Sequence, residues 1–227
     1  MLIQKRGKTK KTAFTMAEVL ITLGILGIVI AMTLPSIISK YQKKQTTTQL
    51  KKVYSTLKQA TEFAKSKYGN VEDWDYNLDE NTFLQTYYAP YLRTIINKES
   101  NTYNYTDLGG KKHNPAHPTL VLEDGTYIFI IIVRAFNNPF HIAVDINGNK
   151  SPNKMGRDLF VFSIVNNQFQ TYDQYKDWSW SRKALMAENG TSGQCNPNAQ
   201  GGILGPGCYC SKLIEYDGWE IKKDYPW

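Results

Sequence analysis

Cysteine is scarce: three residues in 227 are too few for a disulfide framework that replaces a hydrophobic core. No G-x-S-x-G, phosphate-binding glycine loop or H-E-x-x-H occurs, so no catalytic constellation stands out and a non-enzymatic role is expected. Glu123, Asp124, Asp145 and Asp158 lie near presumed turns, where a solvated role is the better reading. Mean hydropathy is negative, which excludes a polytopic membrane protein, and the 41% apolar fraction excludes a fully disordered chain. The length suits one domain, or one domain with an appendage.

Acid is missing from residues 1–13, which carry Lys5, Arg6, Lys8, Lys10 and Lys11. Of the 27 bases in the chain, setting those five aside leaves 22 against 20 acids. The formal charge of +7 is therefore mostly a leader, and nucleic-acid binding is not indicated by bulk charge.

Charge is also nearly absent from residues 12–39, where Glu18 stands alone. Residues 19–34 read VLITLGILGIVIAMTL. With the four residues after them they make about 20, or ~30 Å of helix, enough to cross a bilayer. The bases before the run favour a cytoplasmic N-terminus and an exported C-terminus. A secretory signal peptide would place a small-residue cleavage site after the run, but no A-x-A follows and the chain passes through Pro35 to Lys40. A plain signal anchor leaves Glu18 unexplained, and a carboxylate at that depth is a functional hypothesis by default.

Residues 10–19, KKTAFTMAEV, resemble the type III signal of type IV pilins and type II secretion pseudopilins. The resemblance covers about 30 residues: cut site, aromatic, acid and uninterrupted apolar run. It implies that a prepilin peptidase cuts between Ala13 and Phe14, that Phe14 is then N-methylated, and that Glu18 is the assembly acid. Ala13 stands where that family usually has Gly, and Met16-Ala17 where it usually has Leu-Ile. In a filament core, Glu18 of one subunit would neutralise the Phe14 amine of its neighbour, and that pair would set axial register. The bland alternative is that Glu18 merely sits favourably in a first helical turn. Gly24 and Gly27 suit close helix packing. Pro35 removes a backbone bond to the Ala31 carbonyl and is expected to kink or loosen the helix.

Beyond residue 38 the pattern turns amphipathic. Leu50, Val53, Tyr54, Leu57, Ala60, Phe63, Ala64 and Tyr68 recur at three- and four-residue steps, and Gly69-Asn70 is a stop. One helix of about 55 residues, ~80 Å, is expected from Phe14 to Tyr68; two helices broken at Pro35 are the alternative. The expected division is a leader (1–13), a membrane or filament-core helix (14–38), its amphipathic continuation (39–70) and a globular head (71–227).

Residues 71–100 read as broken helix and 101–118 as loop. Strands are expected at 119–123, 127–133, 140–146, 159–165 and 168–172, with Asp124-Gly125 as a hairpin turn. The fold class is therefore α+β and pilin-like, a long N-terminal helix on a small antiparallel sheet of four or five strands.

The loop from Asp145 to Asp158 presents Asp145, Asn147 and Asp158 as weak calcium candidates. Gly148 is misplaced for an EF-hand and no glutamate closes the loop, so turn chemistry is favoured. No other cofactor is expected. Cys195 paired with Cys208 or Cys210 would close a loop of ~15 residues, which resembles the disulfide-bounded C-terminal loop of many pilins. A zinc site from these cysteines with His113, His117 or His141 matches no standard spacing.

The expected role is a structural pilin-like subunit, whose partners are prepilin peptidase, copies of itself or other pilins, an inner-membrane assembly platform and membrane lipid. Its place is the inner membrane, then a periplasmic or cell-surface filament. The long head leans toward a minor subunit. A tip pilin that binds DNA or a surface, and a signal-anchored periplasmic domain that never polymerises, are the alternatives.

Overall fold

The computed structural model describes residues 14–95, 103–113, 120–132, 140–173 and 179–227. The leader and Ala13, and with them one side of the expected cut, lie outside the described residues, as does His117. Two units are distinguishable. One ends at Gln42, and the other runs from Lys43 to Trp227.

A single helix, α1, spans Met16–Tyr68, with Pro35 inside it. Two helices broken at Pro35 are therefore not what forms. Hydroxyls support the backbone on both sides of the proline: Thr33 donates to the Val29 carbonyl at 2.9 Å and Ser36 to the Thr33 carbonyl at 2.8 Å. In the first unit the aliphatic residues of α1, from Val19 through Ile38, are exposed. Among the described residues α1 is the one helix long and apolar enough to cross a membrane.

In the second unit α1 becomes one-sided. Leu50, Val53, Leu57, Ala60 and Ala64 are buried, while the lysines between them stay in water. Gly69, at φ 83°, ends the helix in a left-handed conformation that a side chain resists. Asp79 then caps the short helix α2 (Glu80–Tyr87) through the amides of Asn81 and Thr82.

The sheet is built from β1 (Thr94–Ile95), β4 (Leu120–Leu122), β5 (Tyr127–Ile132), β6 (Phe140–Asp145), β7 (Leu159–Val165) and β8 (Gln168–Thr171), adjacent in that order and antiparallel throughout. Five strands coincide with the expected ones; β1 adds a sixth, at the edge, where a continuation of broken helix was expected. A separate hairpin, β2 (Tyr105–Thr106) with β3 (Lys112–His113), occupies part of the expected 101–118 loop. Asn166 and Asn167, at φ 51° and 61°, make the two-residue turn between β7 and β8, a conformation that asparagine tolerates better than most residues.

β7 is buried along its whole length. Tyr54 of α1 lies 5.9 Å from Phe162 and 5.7 Å from Phe169, ring centre to ring centre. Thr61 of α1 and Tyr88 share a fully buried hydrogen bond of 3.0 Å. Two further helices, α3 (Arg182–Leu185) and α4 (Cys210–Tyr216), were not anticipated. Ser211 of α4 donates to the Val161 carbonyl at 2.6 Å, which fastens α4 to β7. Arg182 bridges Asp217 and Asp224. The layout is α+β and pilin-like: a long N-terminal apolar helix packed on a small antiparallel sheet.

Candidate functional site

The N-terminal segment places Phe14 at 85% exposure and Glu18 four residues on, in the first turn of α1. The Thr15 amide donates to Glu18 Oε2 at 2.8 Å, and the Thr15 hydroxyl donates to the same oxygen at 2.9 Å. The Glu18 amide in turn donates to Thr15 Oγ1 at 3.2 Å. This reciprocal arrangement is a capping box, and T-x-x-E ahead of an apolar run is its sequence signature. In the single chain, Glu18 therefore has partners of its own. Engaging a neighbour's amine means sharing or exchanging the two Thr15 bonds.

The cysteines resolve as one bridge and one thiol. Cys195 and Cys210 are joined, 15 residues apart, and Cys208 is free and buried. Burial pushes the Cys208 thiol up to about 12, so its thiolate is scarce. Cys210 opens α4, so the bridge ties the glycine-rich loop before it to the helix that β7 holds.

The three calcium candidates do meet, at the root of the β6–β7 connection. The Tyr103 hydroxyl donates to Asp145, and the Asn147 amide donates to Asp145 Oδ1 at 3.0 Å, an Asx turn. Asp158 accepts the amides of Asn153, at 2.9 Å, and Lys154, and the Ile146 amide reaches the Asp158 carbonyl at 2.9 Å. Both carboxylates are buried. Burial, and then the neighbouring Asp158 charge, push Asp145 up to about 8; burial also raises Asp158 against the pull of its amide donors. Asp145 thus holds a proton at neutral pH. The side-chain oxygens Asn147 Oδ1 and Asn153 Oδ1 are buried with no hydrogen-bond partner among the described residues, and with the two acids they are the atoms a cation would have to use. The loop closes through amides and a tyrosine hydroxyl, which is turn chemistry.

Neither described histidine, His113 or His141, joins the cysteines in a metal-binding group. His113 Nε2 lies 2.8 Å from Asp107, and its ring stacks 5.0 Å from Tyr105. This pair borders a groove lined on its far side by Pro197, Gly201, Ile203 and Pro206. His141 is buried on β6, and burial pushes its imidazole down to about 4, which keeps it neutral. Among the described residues no group of three His, Cys, Asp or Glu side chains is placed to hold a metal.

The model of a family of unknown function, DUF6613, matches residues 36–227. No curated protein and no solved structure matches the chain.

Proposed function

We propose that this chain, which belongs to the DUF6613 family, is a structural subunit of a pilin-like filament, held in a membrane by its N-terminal helix until assembly. The observation that carries this reading is one uninterrupted helix with two different surfaces. Along residues 19–38 it is apolar and exposed; from Thr46 to Ala64 one stripe of it is buried in the head. A helix that served the head alone would have no use for the first surface in water, since an exposed apolar face of that size marks a membrane or protein contact.

Phe14 and Glu18 head that surface in the spacing of a prepilin signal. Cleavage after Ala13 would convert the Phe14 amide nitrogen into a cationic amine, which methylation leaves charged. Packed against parallel copies in the apolar core of a filament, that amine finds a carboxylate only where the next copy is correctly staggered. Glu18 supplies it, and the two Thr15 bonds hold the carboxylate at the helix end until then. The lipid tails around residues 19–38 are exchanged for other copies of the same helix, so extraction from the membrane replaces one apolar surround by another. The head is exported, where the Cys195–Cys210 bridge persists.

The reading is tested in cells that carry a prepilin peptidase and a filament-assembly platform. Sheared surface and periplasmic fractions are examined for filaments by electron microscopy and by antibody against the head. Filaments from the parent chain, and their loss in Glu18→Ala with the protein still in the membrane, are expected. Membrane-bound monomer alone from the parent, while a control pilin assembles, would contradict it.

A further inference from the structure

The second unit carries its charge in two separate blocks. Residues 43–61 hold five bases, Lys43, Lys44, Lys51, Lys52 and Lys58, and no acid. Residues 68–92 hold five acids, Glu72, Asp73, Asp75, Asp79 and Glu80, and no base. The first block lies along α1 and the second begins just past its end at Tyr68. At about 1.5 Å per residue, Lys44 lies ~36 Å and Lys58 ~15 Å along the axis from Tyr68. The helix itself therefore holds most of the two blocks out of reach of each other within one chain.

Lys44, Lys51 and Lys58 are seven residues apart, so each sits only about 20° round the helix from the last. They form one line, rotated away from the buried stripe of Leu50, Val53 and Leu57, and all three are exposed. Lys52 differs, because it pairs with Asp124 at 2.7 Å. Among the described residues no carboxylate lies within ion-pair distance of Lys44, Lys51 or Lys58. Lys58 rests over the Tyr54 ring. The acids of the second block are also exposed, and none is in an ion pair among the described residues. Asp75 accepts the Asn77 amide and Asp79 caps α2.

We infer that the Lys44–Lys51–Lys58 face of α1 docks against the Glu72–Asp73–Asp75 turn of a second copy of this chain. The chain carries both halves of the contact in matched number and opposite sign, which singles out a second copy over other acidic partners. The two halves are different patches, so the contact is heterologous, and repetition gives an open array rather than a closed pair. Parallel copies offset by about 15–36 Å along the helix axis bring the halves together. Such exposed pairs are individually weak and screened by salt; their effect is to reject wrong offsets, where lysine would face lysine. This inference rests on the filament reading and names the surface by which heads recognise one another.

The test uses the full-length chain, with Cys208→Ala, in cells that carry the assembly machinery. Lys51→Cys and Asp73→Cys are combined, and the disulfide-linked ladder is read on a non-reducing gel. Filaments of the same variant in sheared fractions, seen by electron microscopy, are the control for assembly. A ladder through 51 and 73 is expected. Adding Lys44→Glu and Lys58→Glu should cut it about tenfold, and adding Glu72→Lys and Asp75→Lys to those should restore it. Filaments without a ladder through 51 and 73 overturn the docking surface and leave the filament reading intact. So does a ladder that the reversals do not change, or lysine reversals that abolish only binding of added DNA or anionic vesicles. Neither filaments nor a ladder, while a control pilin assembles, removes the filament reading and this inference with it.

Discussion

Thr15 and Glu18 cap the first turn of α1 for each other, two donors from Thr15 meeting one carboxylate oxygen. The cap and the proposed assembly role make different demands on Glu18. Thr15→Ala takes away the two bonds of the hydroxyl and leaves the amide bond and the carboxylate; Glu18→Ala takes away the carboxylate and both bonds to it. Thr15→Ala should therefore assemble within about twofold of the parent, because a lost cap is a local effect in a long helix. Glu18→Ala should lose assembly more than about tenfold, because a buried amine is left without its counter-charge. Filament yield by quantitative blot of sheared fractions decides it. Equal losses in the two variants would make Glu18 a capping residue only.

Asp145 gives the head a pH dependence. Its carboxyl titrates at about 8 in the folded chain, raised by burial and by Asp158, against an ordinary 3.8. The folded state therefore binds the proton more tightly than the unfolded state, and this contribution falls as pH rises through the window between the two values. His141, pushed down to about 4 from 6.5, acts in the opposite sense below pH 6.5. Between pH 6.5 and 8 Asp145 dominates, and stability of the parent should decline by roughly 1–2 kcal/mol. Asp145→Asn keeps a neutral group and should flatten that decline. Thermal melts of detergent-solubilised protein across this range check it; a parent that is flat or gains stability would place the charged form in the folded head.

Cys195→Ser should destabilise the head by about 3 kcal/mol, the chain-entropy value for a loop of this length. Cys208→Ala should cost much less, since no bridge is lost. In the folded, unreduced chain iodoacetamide should modify no cysteine at neutral pH, and one per chain after unfolding. Rapid labelling of Cys208 in the native protein would contradict its burial.

The long helix was legible because its two halves carry different signals, an unbroken apolar run and then a three–four periodicity, and neither depends on distant residues. Five strands were legible for a similar reason: β-branched and aromatic runs are bounded by Asp124-Gly125 and Asn166-Asn167. Strands β1, β2 and β3 were not, because two residues such as Lys112 and His113 form no pattern, and only their partners make them strands. Helix α4 was hidden behind the cysteines that open it. The choice between Cys208 and Cys210 needed three dimensions, since both satisfy the loop length. Asp145 read as a surface oxygen donor because sequence shows the alternation of acids and amides but not the Tyr103 hydroxyl or the burial that protonates it. The capping box is legible in Thr15 and Glu18, three residues apart ahead of an apolar run.

The central claim is that this chain enters a filament through a processed N-terminus. The most direct test is intact mass and N-terminal sequencing after co-expression with an active prepilin peptidase. The account predicts loss of residues 1–13 and a methyl group on the amine of Phe14. A chain that still begins at Met1, while a control prepilin in the same cells is cut, would contradict it.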